Sequence, residues 1–128
     1  MGQQPKDEEI QRQIERRDIA RELKDIAEDA NNKAQEALTK TKKKSYSKDK
    51  KLPAKEAIKQ ARNATDAADA AQEVADDADK AAKTAGKNNK KSMRKLADQT
   101  KEVAEETAAE AQEAVDVSEE AKKIAELD

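Results

Sequence analysis

Along most of this chain, small apolar residues recur at alternating gaps of three and four. In the middle block they are Ala54, Ala57, Ala61, Ala64, Ala68, Ala71, Ala75, Ala78, Ala82 and Ala85. That spacing draws one narrow stripe along an α-helix, the a/d seam of a heptad repeat. The register recurs upstream in Ala20, Leu23, Ala27, Ala30, Ala34, Ala37 and Thr41. It recurs downstream in Ala97, Thr100, Ala104, Thr107, Ala111, Ala114, Ser118, Ala121 and Ala125. One residue before one of these columns runs a second, bulkier stripe. It reads Ile19, Ile26 and Lys33 in the first block, Ala67, Val74 and Ala81 in the second, and Leu96, Val103, Glu110, Val117 and Ile124 in the third. A small-residue seam flanked by larger side chains suits a helix that touches two neighbours, as a bundle member must.

The boundaries follow from breaks in this pattern. A first helix is expected over about 7–40, with Asp7, Glu8 and Glu9 at its positive start and Lys40, Lys42 and Lys43 at its end. Ile10 and Ile14 step off the register, so the first two turns either pack differently or fray. Residues 41–52 hold no periodic apolar side chain and read as a basic loop. Pro53 suits the first position of a second helix over 53–85, and Gly86 suits a left-handed stop. After the turn Gly86-Lys87-Asn88-Asn89, either asparagine can cap a third helix over about 89–126. A turn that short makes its two helices antiparallel neighbours. The expected fold is all-α: one domain over residues 1–128, an elongated up-down-up three-helix coiled-coil bundle with alanine-rich seams. An open hairpin of the last two helices, completed by a second copy, satisfies the same pattern.

Composition sharpens this picture. The chain has 128 residues and is 34% hydrophobic, mostly alanine, with one Tyr and no Phe or Trp. Alanine has high helix propensity but buries little area, so the core is expected to be thin and long. Charged residues make up 44%, yet the net charge is only −2. That balance suits helix faces laced with i,i+4 pairs better than a self-repelling coil. There is no cysteine, hence no disulfide framework or thiol chemistry, and no apolar run long enough to span a membrane. The opening Met1-Gly2-Gln3-Gln4-Pro5-Lys6 reads as a start placed on an excerpt of a longer protein.

Charge is uneven along the chain. Residues 39–56 carry eight lysines against Asp49 and Glu56, residues 87–95 carry five bases, and residues 96–128 are strongly acidic. In an up-down-up rod the two basic segments fall at opposite ends. Lys42, Lys43, Lys44, Lys50 and Lys51 at one end, and Lys90, Lys91 and Arg94 at the other, are candidates for gripping a polyanion such as a glycosaminoglycan or a nucleic-acid backbone. The plainer reading is solvated segments that offset helix dipoles. No aromatic interleaving or zinc-finger pattern accompanies them, which argues against sequence-specific nucleic-acid recognition. Histidine is absent, and the adjacent carboxylates Asp76-Asp77 and Glu105-Glu106 read as solvated helix faces. No catalytic, cofactor or metal site is therefore expected.

The blocks of Ala-x-x-Ala-x-x-x heptads, Ala57 through Ala85 with the runs 20–41 and 97–125, resemble the alanine-heptad region of the merozoite surface protein 3 family of malaria parasites. The break Lys44-Ser45-Tyr46-Ser47-Lys48 resembles the breaks between such blocks. The family's acidic tail and C-terminal leucine-zipper stretch have no counterpart here. The resemblance implies the coiled-coil part of an extracellular surface protein that binds protein partners and is an antibody target. The residues themselves support two roles: a non-enzymatic interaction rod that binds proteins or itself, or a polyanion-binding module working through its lysines.

Overall fold

The computed structural model describes residues 5–126. Residues 1–4, which carry most of the opening noted above, lie outside the described residues. Three helices follow in chain order: α1 (Pro5–Lys43), α2 (Ser47–Lys83) and α3 (Lys90–Ile124). Every pair of them packs together. Ala37 near the end of α1 meets Ala54 near the start of α2 and Ala121 near the end of α3. At the other end, Ile10 of α1 meets Ala82 of α2 and Met93 of α3. The chain therefore runs up, down and up, and the 39-residue α1 alone spans roughly 58 Å.

The alanine seam is the core. All ten seam alanines of the middle block, Ala54 to Ala85, are buried, as are the seam positions of the third block from Ala97 to Ala125. In α1 only Leu23 is partly exposed among the seam residues from Ala20 to Thr41. Hydroxyls enter this core because the helix itself satisfies them. Thr100 and Thr107 donate to the carbonyls of Leu96 and Val103 at 2.9 and 2.7 Å, and Thr41 donates to that of Ala37 at 2.9 Å. Among the described residues, no buried side-chain nitrogen or oxygen lacks a hydrogen-bond partner.

Four local expectations are corrected. The basic segment 41–52 is not a loop: α1 continues to Lys43, α2 begins at Ser47, and only residues 44–46 link them. The apolar period marks burial, not helicity, and lysine is a good helix former wherever the helix stands in water. Pro53 accordingly lies inside α2 and not at its first position. It has no N–H to donate to the Asp49 carbonyl, but the preceding turn is anchored. The Asp49 and Lys50 N–H groups donate to the Tyr46 carbonyl at 3.0 and 3.2 Å.

Gly86 is not a left-handed stop, since no described glycine has a positive φ. The helix ends at Thr84 (φ −100°, ψ 5°), and the following turn is closed by the Asn89 N–H donating to the Gly86 carbonyl at 2.9 Å. Asn89 is the N-cap residue of α3, yet its amide makes no cap bond and donates to the Glu9 carboxylate of α1 at 3.0 Å. Finally, the bulky second stripe is not uniformly core. Val103, Val117 and Ile124 are half-buried, whereas Ile19 and Ile26 of α1 remain 46% and 53% exposed.

Candidate functional site

The eight candidate cations do not converge. Lys42, Lys43, Lys44, Lys50 and Lys51 stand at the upper end, around the α1–α2 turn, while Lys90, Lys91 and Arg94 stand at the lower end, around the α2–α3 turn. Nearly the full length of the rod separates them. At the upper end Lys42 pairs with Glu120 of α3 at 3.3 Å. Among the described residues, Lys43, Lys44, Lys50 and Lys51 have no carboxylate within ion-pair distance. All but Lys50 are exposed, as is the neighbouring Lys48.

The backbone does not account for all of these charges. Lys40, Lys42 and Lys43 occupy the last turn of α1, where they complement the negative end of its dipole. Lys48, Lys50 and Lys51 occupy the opening of α2, where the dipole is positive and disfavours them. Only Asp49 offsets it in that first turn.

The lower end is more nearly neutralised. Arg94 pairs with Asp79 of α2 at 2.8 Å and reaches Asp98 at 3.7 Å. The Arg94 guanidinium, with Lys83 beside it, holds the Asp79 carboxyl below its ordinary value. Glu8 and Glu9 line a shallow groove beside Lys87. Lys90 and Lys91 point into solvent.

Between the ends, the α1–α3 seam is stitched by side-chain pairs. Lys24 pairs with Glu106 at 2.6 Å, and that carboxylate holds the ammonium above its ordinary pKa. Asn31 donates to Glu110 at 2.8 Å, Gln35 to Glu113 at 3.0 Å, and Arg17 to Gln99 at 3.1 Å. The α1–α2 seam has no such side-chain pair among the described residues. Instead it opens as a groove. Its upper part, about 700 Å³, is lined by Lys33, Lys40 and Lys44, by Glu36 and Glu56, and by Leu52 and Pro53. Its middle is lined by Leu23, Ile26, Asp29, Lys59 and Asp66.

Sequence reasoning singled out the lysines and missed this face. The signal was present: Ile19 and Ile26 are followed in their column by Lys33 and Lys40, which cannot be core residues. A stripe that turns from isoleucine to lysine marks a surface, not an interior.

Among the described residues, no helix is long and apolar enough to cross a membrane, and no group of three or more His, Cys, Asp or Glu side chains is placed to hold a metal ion. Comparisons with protein-family models, with curated proteins and with solved structures return no match for this chain.

Proposed function

We propose that this chain is a non-enzymatic structural and interaction protein, a stiff helical rod that binds protein partners along its length. The observation that carries the reading is the α1–α2 face. Ile26 and Leu52 stand there, exposed by 53% and 78%, outside a core already closed by alanine. Large apolar side chains that the fold does not use are the usual anchors of protein association. The resemblance to the alanine-heptad region of merozoite surface protein 3 adds a place, the outer surface of a cell, and a second consequence, recognition by antibodies. That part of the proposal rests on the heptads and on the Lys-Ser-Tyr-Ser-Lys break alone.

A second reading has its own observation. Lys48, Lys50 and Lys51 sit where the α2 dipole disfavours them, so folding does not account for their presence. A polyanion would. Retention on immobilised heparin across a salt gradient separates the two. The interaction rod elutes early, and neutralising Lys42, Lys43, Lys44, Lys50 and Lys51 changes little. Late elution that falls steeply with salt and is lost in that variant favours the polyanion module.

A further inference from the structure

The two turns of the rod are built differently. Between α2 and α3 the turn Gly86-Lys87-Asn88-Asn89 is rich in residues that reverse a chain. It is also bonded. The Asn89 N–H donates to the Gly86 carbonyl at 2.9 Å, and the side-chain amide of the buried Asn89 donates to Glu9 of α1 at 3.0 Å. Between α1 and α2 only Lys44, Ser45 and Tyr46 connect, and residues 33–52 contain no Gly, Pro or Asn. These three side chains are exposed, and among the described residues none makes a hydrogen bond or ion pair. Tyr46 precedes α2 in extended backbone, φ −117° and ψ 145°, and gives the helix no side-chain cap. No side-chain contact holds this connection bent.

What brings α1 back is its packing on the α2–α3 hairpin. Gln13 donates to the carbonyls of Ala78 and Met93, Lys24 pairs with Glu106, and Asn31 donates to Glu110. All of these partners belong to the hairpin, and the hairpin of a second copy presents them identically. We propose that α1 exchanges between two copies of this chain. The connection at residues 44–46 opens, and each α1 packs on the other copy's hairpin. Every helix–helix contact is kept, so the balance between one chain and two rests on the connection and on concentration. A short connection without turn residues is the kind that opens in this way. The upper ends of the two bundles then abut across a two-fold axis that passes between the connections. Each Tyr46, 69% exposed in the single chain, falls beside its counterpart there. The rod doubles in length.

Exchange goes beyond the interaction-rod reading, since it needs neither the open α1–α2 groove nor a ligand for the lysines, and heparin retention does not bear on it. The basic segments of both copies meet at mid-rod, so the test is made at high salt, which screens them. Unlabelled and nitrogen-15-labelled chains of 14.1 kDa are mixed at high concentration, warmed to the thermal midpoint, cooled and separated by size. A monomer and a dimer are expected. Each is then treated with a carbodiimide, which joins an ammonium to a carboxylate already in contact. Lys24 and Glu106, 2.6 Å apart on α1 and α3, are such a pair. The dimer should yield Lys24–Glu106 crosslinks between a labelled and an unlabelled peptide, and the monomer should yield none.

The hinge is located by insertion. Four Gly-Ser residues added after Ser45 let α1 fold back on its own chain more easily, and should raise the dissociation constant roughly tenfold or more. The same insertion after Lys87 should leave it unchanged, because that turn stays closed. A mass that stays monomeric at every concentration overturns the proposal. So does a dimer whose Lys24–Glu106 crosslinks all join peptides of one label, or one that responds equally to the two insertions.

Discussion

The two ends of the rod are closed by different physics. At the lower end a polar side chain is buried and engaged. Gln13 is fully buried and donates to the carbonyls of Ala78 on α2 and Met93 on α3, at 2.8 and 3.2 Å. Its own carbonyl accepts from Arg16 at 2.9 Å. Around it lie the 1%-exposed Met93, the Asn89–Glu9 bond and the Arg94–Asp79 pair. At the upper end the interior is Ala37, Leu38, Ala54, Ala57, Ala121 and Ala125. Among the described residues the one interhelical ion pair there, Lys42–Glu120, has both side chains about half exposed. Tyr46 and Leu52 stand outside the core. One end is fixed by shape and directed hydrogen bonds, whereas the other is closed by small apolar side chains and carries its charge outward. That difference leaves the upper end free to evolve as a surface.

The largest expected effect tests this asymmetry at its apolar anchors. Met93→Ala should cost about 2–5 kcal/mol, because it removes the bulkiest fully buried side chain and alanine neighbours cannot collapse into the void. Leu38→Ala should cost less, since Leu38 lies at the edge of the core with 9% exposure. Chemical denaturation of both variants at one protein concentration makes the comparison. Equal losses would mean that the two ends are held alike.

Much of this fold was legible because heptad spacing dictates which face of a helix is buried. The buried seam alanines follow from it, and the antiparallel order follows from the short turn after Ala85. The lower end was only half legible. Gln13 and Met93 stand one heptad before Ala20 and Thr100, in the seam columns, but nothing local shows that a seam amide will find two carbonyls on other helices. The extent of the helices was also hidden, since a solvated lysine-rich helix leaves no apolar period. Of the candidate site, the sequence showed which residues are basic. With the up-down-up order it also placed them at opposite ends, but it could not show that Ile26 and Leu52 line an open groove.

Between the ends the seam itself can be probed. Ala71 is fully buried against Leu23, Ala75 and Ala104. Ala71→Leu should destabilise by about 1–3 kcal/mol through overpacking, although leucine is the more hydrophobic residue. The exposed control Asp69→Leu should be near neutral. A higher thermal midpoint for Ala71→Leu with an unchanged mass would show a loose seam, and the lower end would then owe its closure to Gln13 and Met93 alone.

The lower end also holds a residue that the fold does not require. Gly86 has a negative φ, and a Cβ built on it meets no atom within 4 Å. Gly86→Ala should therefore stabilise by about 0.4–1 kcal/mol, by restricting the unfolded chain. A fall in the thermal midpoint would mean that the α2–α3 turn visits a left-handed conformation after all.

The smallest effect per residue reads the charge of the upper end, and its sign carries the information. Lys40, Lys42 and Lys43 close α1, and Lys48, Lys50 and Lys51 open α2. The two triplets lie a few residues apart and differ chiefly in which pole of a helix they meet. A cation is favoured at the C-terminal pole and disfavoured at the N-terminal one, by about 0.3–1 kcal/mol at low salt. Replacing Lys40, Lys42 and Lys43 with glutamine should therefore lower the thermal midpoint, with part of the change reporting the lost Lys42–Glu120 pair. Replacing Lys48, Lys50 and Lys51 should raise it. Both shifts should shrink as salt is added, because the charges are at the surface. If both replacements lower the midpoint, the α2 lysines serve the fold through contacts along their stems, and the case for a polyanion at this end loses its footing. If the signs split, the chain keeps three lysines that work against its own stability, and their contribution lies outside folding.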